Sequence, residues 1–156
     1  MTAVEARPLA ELLECPPDTA DLLAGATQPV ACAAGECVFR QDDPARGLYL
    51  VAAGQFLRKA ERLNARLTLG IARPGELVEL AAALGDRIHT YSLTALNPGT
   101  LLLLPMEALL EAFDRHPPLR MRLLEELARE VSRAYLSCSL SRITPVRRRA
   151  SDALSA

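Results

Sequence analysis

The sequence predicts a mainly β protein with helices at both ends, in which an antiparallel sandwich or roll forms the centre. Between Gln28 and Pro105, short runs rich in Val, Leu, Tyr and Phe are interrupted by Gly, Pro, Asp or Asn about every eight to twelve residues, which is typical of short antiparallel strands. After Pro105 the apolar residues change to helical spacing. The chain has 156 residues, of which 50% are hydrophobic and 24% charged, so we expect one globular domain with a substantial core.

The N-terminal and central elements follow from turn and cap residues. Residues 8–23 predict two short helical pieces separated by Pro16 and Pro17, with Asp18 or Thr19 as the cap of the second piece. Apolar runs bounded by turn residues then predict seven strands. These strands cover residues 29–32, 37–40, 48–52, 55–60, 67–72, 90–96 and 100–104.

The C-terminal part predicts a short helix and then a long one. Residues 106–116 carry Leu109, Leu110 and Phe113 at helical spacing, and the following pair of prolines ends this helix and starts the next. The long helix covers residues 119–141, which contain no Gly or Pro.

Apolar residues along the long helix follow the three-four spacing of a coiled coil, and we call them the seam. The seam consists of Leu124, Leu127, Val131, Ala134 and Cys138. Glu125 and Arg129 form an i,i+4 pair on its flank. The seam predicts a homodimer through paired long helices, and the alternative is that the helix covers the roll of its own chain.

Residues 74–96, which we call the cassette, predict a ligand-binding segment. A Pro-Gly turn, a short apolar run with two acids, a Gly-Asp turn and an alternating run indicate a strand end, one helical turn and a returning strand. The free N–H groups at the start of a short helix are suited to an anion.

Several strings in a fixed order resemble the sensor half of the Crp/Fnr superfamily of bacterial transcription regulators. They are GECVF at residues 35–39, GLYLV at 47–51, GQ at 54–55, PGEL at 74–77, TA at 94–95 and HP at 116–117. The resemblance covers about residues 28–143 and implies a cyclic-nucleotide-binding-domain-like β-roll (jelly roll) with N-terminal helices and a long C-terminal dimerisation helix.

The resemblance implies a cassette in which an acid binds the ribose hydroxyl, an arginine binds the phosphate and a small hydroxyl residue lies beside it. In this sequence His89 stands at the position of the arginine, Thr90 at the hydroxyl position and Tyr91 at a position that is usually small. A histidine that is mostly neutral near pH 7 is a weaker anion ligand than a bidentate arginine. We therefore expect no binding of a cyclic nucleotide in the canonical way.

Other family positions also differ. The acid is Glu76 or Glu79, depending on whether a glycine is deleted before Glu79, and Arg87 is the candidate for a replacement cation. The long helix carries Ala134 and Tyr135 where cyclic-AMP-binding relatives carry a Thr-Ser pair. The candidate pocket residues are Gly75, Glu76, Leu77, Val78, Glu79, Leu80, Arg87, His89, Thr90, Tyr91, Ala134 and Tyr135.

Structural roles compete with these ligand-binding roles. Glu79 is equally suited to cap the short helix, and His89 to be an ordinary hydrogen-bonded strand residue. Tyr91 is expected to pack in the core rather than to stack on a ligand. His116 is expected at a helix end. Gly35, Gly54 and Gly75 are expected in left-handed turns, and Asp42 replaces a glycine that the family carries in such a turn.

Cofactor and enzyme functions are not expected. Cys15, Cys32 and Cys37 lack the spacing of the iron–sulfur members of the superfamily, and Cys32 and Cys37 facing each other across the first hairpin would make an incomplete zinc site. We expect neither haem nor cluster. Two histidines are too few for the metal centre of a cupin enzyme, and no Ser-His-acid or Cys-His signature occurs.

The sequence therefore predicts a non-catalytic ligand-sensing effector domain of a dimeric Crp/Fnr-type regulator, over residues 1–143. Residues 144–156 are predicted to begin a linking helix, with Thr144 as cap and Pro145 in the first turn, towards a DNA-binding domain outside this sequence. The alternative is a stand-alone module or partner-binding scaffold with a degenerate pocket. The effector is unknown, and the absence of a signal peptide or long apolar run predicts a cytoplasmic protein without membrane contact.

Overall fold

The computed structural model describes the backbone of residues 13–154 and the side chains of residues 13–136. The chain forms two units, the first ending at Leu123 and the second beginning at Leu124. The first unit contains eight strands, at Gln28–Cys32 (β1), Cys37–Phe39 (β2), Gly47–Ala53 (β3), Phe56–Arg62 (β4), Ala65–Ala72 (β5), Leu77–Val78 (β6), Ser92–Ala95 (β7) and Gly99–Pro105 (β8). The helices are Pro17–Ala26 (α1), Leu80–Leu84 (α2), Met106–Arg115 (α3) and Pro118–Leu154 (α4).

The strands form two four-stranded antiparallel sheets, in the orders β1-β8-β3-β6 and β2-β7-β4-β5. All seven predicted strands are present with ends shifted by one or two residues, and the predicted antiparallel roll is confirmed. The eighth strand, β6, is two residues long and pairs with β3 at the beginning of the cassette.

The core lies where the apolar faces of the strands converge. Phe56 from β4, Leu93 from β7 and Leu101 from β8 have no exposed surface. They belong to one buried cluster that also includes Tyr49 and Val51 of β3. Burial of these side chains supplies the main force that holds the strands together, at roughly 1.5–3 kcal/mol for each large apolar side chain.

Turn residues explain how the strands reverse. Gly35, Gly54 and Gly75 have φ angles of +80°, +85° and +90°, so the predicted left-handed turns are confirmed. At Gly54 a side chain is also excluded by contact, because a Cβ there would lie 2.7 Å from the Cα of Gly99. Asp42 has φ +70°, as expected for an acid that replaces glycine in such a turn.

The N-terminal helix α1 begins differently from the prediction. Pro16 is its N-cap and Pro17 is the first helical residue, so the cap at Asp18 or Thr19 is wrong. Proline at the first position is favourable because its fixed φ suits the helix and its missing N–H would have no acceptor there. The first predicted helical piece lies almost entirely outside the described residues. Arg122 joins the segment before α1 to the start of α4 through a 2.8 Å hydrogen bond to the carbonyl of Leu13.

The C-terminal helices differ from the prediction at one point. His116 is the C-cap of α3, as predicted. The predicted break at Thr144 and Pro145 is wrong, because α4 is helical through both residues to Leu154. A proline removes one helical hydrogen bond, and the run of Arg and Ala that follows favours helix, so continuation is tolerated here. No helix within the described residues combines the length and the hydropathy that a membrane span needs.

Candidate functional site

The beginning of the cassette is fixed on the sheet by backbone hydrogen bonds. The N–H of Gly75 donates to the carbonyl of Val51 at 2.8 Å, and the N–H of Val51 donates to the carbonyl of Glu76 at 3.0 Å. Val78 and Leu80 follow as buried residues, whereas Leu77 is half-buried. The two buried apolar side chains place Glu79 between them inside the roll.

Glu79 is a buried acid at the start of α2. Its residue is 2% exposed, and its backbone is left-handed with φ +68°. The carboxylate accepts three hydrogen bonds, from Nδ1 of His89 at 2.7 Å, from the backbone N–H of Thr90 at 2.8 Å and from Oγ1 of Thr90 at 2.7 Å. The carboxylate therefore does not cap α2 but bonds to residues ten and eleven positions later.

His89 is held from two sides. Its backbone N–H donates to the carbonyl of Asp43 at 2.9 Å, and its carbonyl accepts from the N–H of Asp42 at 2.9 Å. The imidazole stacks on the ring of Phe39 with centroids 3.7 Å apart and planes 2° from parallel. An ionised Glu79 requires a hydrogen on Nδ1, so these contacts fix both the ring orientation and its donor.

Tyr91 closes the cassette over Glu79. Its side chain is buried, and its hydroxyl accepts a 3.1 Å hydrogen bond from the backbone N–H of Glu79. Burial raises the pKa of the Tyr91 phenol, and this effect outweighs the lowering of the pKa by the nearby Arg58. The prediction that Tyr91 packs in the core is confirmed.

Arg58 is a cassette neighbour that the sequence reading missed. Its guanidinium carbon lies 5.9 Å from the ring centre of Tyr91, and Nη2 lies 3.6 Å from Oε2 of Glu76. The signal was the alternation along β4, where Arg58 shares the inward face with the buried Phe56 and Ala60. A charged residue in phase with two core residues is expected to be partly buried, and the Arg58 side chain is 13% exposed.

The other two charged candidates lie near the surface. Glu76 has a side chain that is 45% exposed, and its Oε2 accepts from the backbone N–H of Arg73 at 3.0 Å. Arg87 lies exposed in the turn after α2 with φ +63°. Among the described side chains no ion pair joins Arg87 to Glu76 or Glu79.

The seam and the two helical pocket candidates belong to the second unit. Leu124 and Val131 are 38% and 60% exposed, Leu127 is half-buried, and Ala134 and Tyr135 are exposed. Cys138 lies outside the residues whose side chains are described. The predicted flanking pair is present, with Arg129 and Glu125 3.9 Å apart. The dimer and the pocket roles of Ala134 and Tyr135 stay predictions.

Among the cysteines whose side chains are described, Cys32 and Cys37 do not form the predicted pair. Cys32 and Cys37 belong to β1 and β2, which lie in different sheets, and both are free thiols. Burial raises the pKa of the Cys32 thiol. Within the part of the chain that the structure describes, no three His, Cys, Asp or Glu side chains are grouped as a metal site.

Comparisons with known proteins show the family and the fold of the chain. The family described as the cyclic nucleotide-binding domain matches residues 29–116, more than half of the chain. The catabolite activator protein of Thermus thermophilus is 31% identical, with a TM-score of 0.67 over 85% of this chain. This chain covers 62% of the length of that protein.

Two further solved structures share the fold at lower identity. The sensor domain of the transcriptional regulator DNR from Pseudomonas aeruginosa is 21% identical, with a TM-score of 0.68 over 84% of this chain and 87% of that domain. The c-di-GMP-responsive global regulator CLP of Xanthomonas campestris is 23% identical, with a TM-score of 0.63 over 78% of this chain and 60% of that protein. At these identities the likeness shows the fold alone. No curated protein sequence is significantly similar to the chain.

Proposed function

Because the chain belongs to the cyclic nucleotide-binding domain family and resembles Crp/Fnr-type regulators, we propose that it is the ligand-sensing effector domain of a dimeric transcription regulator. The domain is non-catalytic and does not hold a cyclic nucleotide in the canonical way. The observation that carries this proposal is the contact between His89 and Glu79, because it joins the residue at the expected phosphate-binding position to an internal carboxylate.

The electrostatics of the cassette support this negative prediction. A cyclic nucleotide brings a phosphate with one negative charge, and a buried carboxylate at the same donors would repel it. The donors that would hold the phosphate, His89 Nδ1 and the N–H and hydroxyl of Thr90, already bond to Glu79. Arg58 lies near Tyr91 and Glu76, so its charge is partly balanced by Glu76.

The long helix α4 would transmit the presence of an effector to the rest of the regulator. An effector that favours one of two packings of the paired helices would change how a following DNA-binding domain is presented. Exposed apolar side chains at Val131 and Leu136, both 60% exposed, support pairing with a second copy. DNA contact then belongs to a domain outside this sequence, and neither a haem nor an iron–sulfur cluster is required.

Isothermal titration calorimetry tests the ligand prediction. Cyclic AMP, cyclic GMP and cyclic di-GMP are each titrated into the purified chain, and we expect no binding up to about 1 mM, which is the weak end of specific affinity. Micromolar binding of any of the three would contradict the proposal. Loss of that binding in Arg87→Ala, but not in a control Arg66→Ala on exposed β5, would then identify Arg87 as the replacement cation.

Because the donors of the cassette already bond to Glu79, a second candidate function is a partner-binding scaffold whose pocket no longer binds a ligand. Such a scaffold would keep the same oligomeric state and the same partners whatever occupies the cassette. Co-purified small molecules, identified by mass spectrometry of the denatured protein, distinguish the candidates. A stoichiometric metabolite supports the sensor, whereas a ligand-free protein that still assembles with its partner supports the scaffold.

A further inference from the structure

We propose that the cassette contains an anion site and that the side chain of Glu79 is its built-in ligand. The anion site consists of three donors, the backbone N–H of Thr90, the hydroxyl of Thr90 and Nδ1 of His89. In this arrangement the carboxylate does what an external anion would do, and the domain is permanently self-liganded at this position. The inference deepens the proposed function at the same site and rests on it, because both depend on the contact between His89 and Glu79.

The geometry of the contacts is that of a bound anion. One carboxylate oxygen, Oε1, accepts from the Thr90 hydroxyl at 2.7 Å. The other, Oε2, accepts from the Thr90 N–H at 2.8 Å and from His89 Nδ1 at 2.7 Å. The side chains of Glu79 and His89 are 0% and 2% exposed, so water does not compete for the bond between them, and Thr90 is half-buried. Such short bonds to a carboxylate are the strong class of hydrogen bond.

The three donors are positioned by parts of the chain other than Glu79. The backbone of His89 is held by the turn at Asp42 and Asp43, and its ring stacks on Phe39. Thr90 follows directly in the chain, just before β7, which pairs with β4 and β2. Because these contacts do not involve the carboxylate, we expect the donors to keep their places when it is removed.

The chemical class of the ligand follows from the group that now fills the site. Beyond its Cβ, a glutamate side chain has the atoms of acetate, so the anion site fits a small carboxylate. A tethered carboxylate has a high effective concentration at its own donors and therefore outcompetes a free one. The intact chain should accordingly ignore external acetate, whereas a chain without the Glu79 carboxylate should bind it.

Chemical rescue tests this proposal. Glu79→Ala keeps a Cβ and so keeps the same left-handed backbone cost as the native residue, which isolates the effect of the carboxylate. Thermal unfolding is followed in about 100 mM sodium acetate and in sodium chloride of equal ionic strength, and the melting temperature of Glu79→Ala should rise by roughly 3–6 °C in acetate. The wild-type chain should show no difference between the two salts.

Two variants serve as controls. Glu79→Ala combined with Thr90→Val lacks the hydroxyl donor and should lose most of the acetate effect. Glu76→Ala removes a carboxylate that contacts Arg73 and Arg58 and not the anion site, and its melting temperature should be the same in acetate as in chloride of equal ionic strength. Equal responses of wild type and Glu79→Ala to acetate, or no response in either, would overturn the proposal.

A second variant covers the case in which Glu79→Ala does not fold. Glu79→Gly relieves the left-handed backbone and leaves space for one more carbon, so propionate should stabilise it at least as well as acetate. Folding of either variant only in the carboxylate buffer supports the anion site. A folded Glu79→Gly that responds to neither carboxylate overturns it, and the nucleotide titrations of the wild-type chain are unaffected by this outcome.

Discussion

The cassette and residues 124–136 of α4 differ in whether the groups that could bind a partner are already in contact within the chain. In the cassette Glu79, His89, Thr90 and Tyr91 are bonded to one another: the carboxylate of Glu79 accepts three hydrogen bonds, and the hydroxyl of Tyr91 accepts one from the backbone N–H of Glu79. On α4 between residues 124 and 136, most apolar side chains face solvent, with Val131 60% and Tyr135 72% exposed.

The difference shows which region needs something from outside the chain. A cassette whose donors and acceptors are paired is stable without a ligand, because no buried group loses its hydrogen bonds. A helix with an exposed apolar stripe gains free energy when a second surface covers it. Both regions are predicted binding surfaces, and of the two it is the helix, over the side chains described to residue 136, that leaves apolar surface exposed in the single chain. The following variants sharpen that contrast, beginning with the largest effect.

Val131→Glu is expected to abolish the dimer. A carboxylate in a two-fold seam is buried twice without a partner, which should weaken dimerisation more than about 100-fold. Size-exclusion chromatography with light scattering measures the mass of the wild type and of the variant. The matched control is Ser132→Glu, one residue later and off the seam, which should leave the mass unchanged. A wild-type mass of one chain would remove the dimer from the proposal.

Glu79→Ala is expected to lower the free energy of unfolding by about 3 kcal/mol in the absence of carboxylate buffer, because it leaves the buried donor of His89 and the half-buried donors of Thr90 without their acceptor. Urea denaturation at pH 7 measures this loss. Glu79→Gln fills the same space and should lose less than Glu79→Ala. Similar stability of wild type and Glu79→Ala would show that the buried hydrogen bonds do not hold the cassette.

Tyr91→Phe removes the acceptor for the N–H of Glu79 and is expected to cost about 1.5 kcal/mol at pH 7. It should also change how the free energy of unfolding depends on pH above pH 10. Burial raises the pKa of Tyr91 above the ordinary value of 10.0, so the unfolded chain loses this proton at a lower pH than the folded chain does. The resulting stabilisation is complete below pH 10 and is lost as the pH rises further.

Denaturation of wild type and Tyr91→Phe at a series of pH values checks this sign. The wild type should lose stability more steeply above pH 10 than the variant does. Part of the slope remains in the variant, because burial also raises the pKa of Tyr49. Parallel curves for the two proteins would contradict the prediction.

Glu76→Ala is expected to have the smallest effect, about 0.5 kcal/mol, because its carboxylate is half-exposed and lies 3.6 Å from Arg58. Salt should weaken this contribution, whereas the loss in Glu79→Ala should depend little on salt. If Glu76→Ala lost as much stability as Glu79→Ala, Glu76 and not Glu79 would be the acid on which the cassette depends.

Much of the fold followed from the sequence because local signals determined it. Alternating apolar residues in β3, β4 and β8, separated by turn glycines, specify strands without knowledge of their partners. The start of α1 was wrong because two adjacent prolines leave a choice of cap that the downstream packing decides. The continuation of α4 through Pro145 was missed because a proline is a strong local signal that helix context can override.

The candidate site was less predictable because its chemistry depends on contacts distant in sequence. Glu79 and His89 were both recognised as cassette residues, but their hydrogen bond depends on a left-handed backbone at Glu79 that no pattern of residue types announces. The inward orientation of Arg58 was predictable from the sequence, because Arg58 alternates in phase with Phe56 and Ala60 along β4. A charged residue that alternates in phase with core positions therefore predicts a cation or anion packed against the core.

The left-handed backbone of Glu79 also has an evolutionary meaning. Either glutamate codon becomes a glycine codon by one nucleotide change, and glycine is the residue that adopts this conformation without cost. A single mutation would thus relax the chain and vacate the space of the carboxylate at once. A lineage carrying this domain lies one step from an open pocket, and selection could gain or lose a new effector there without rebuilding the roll.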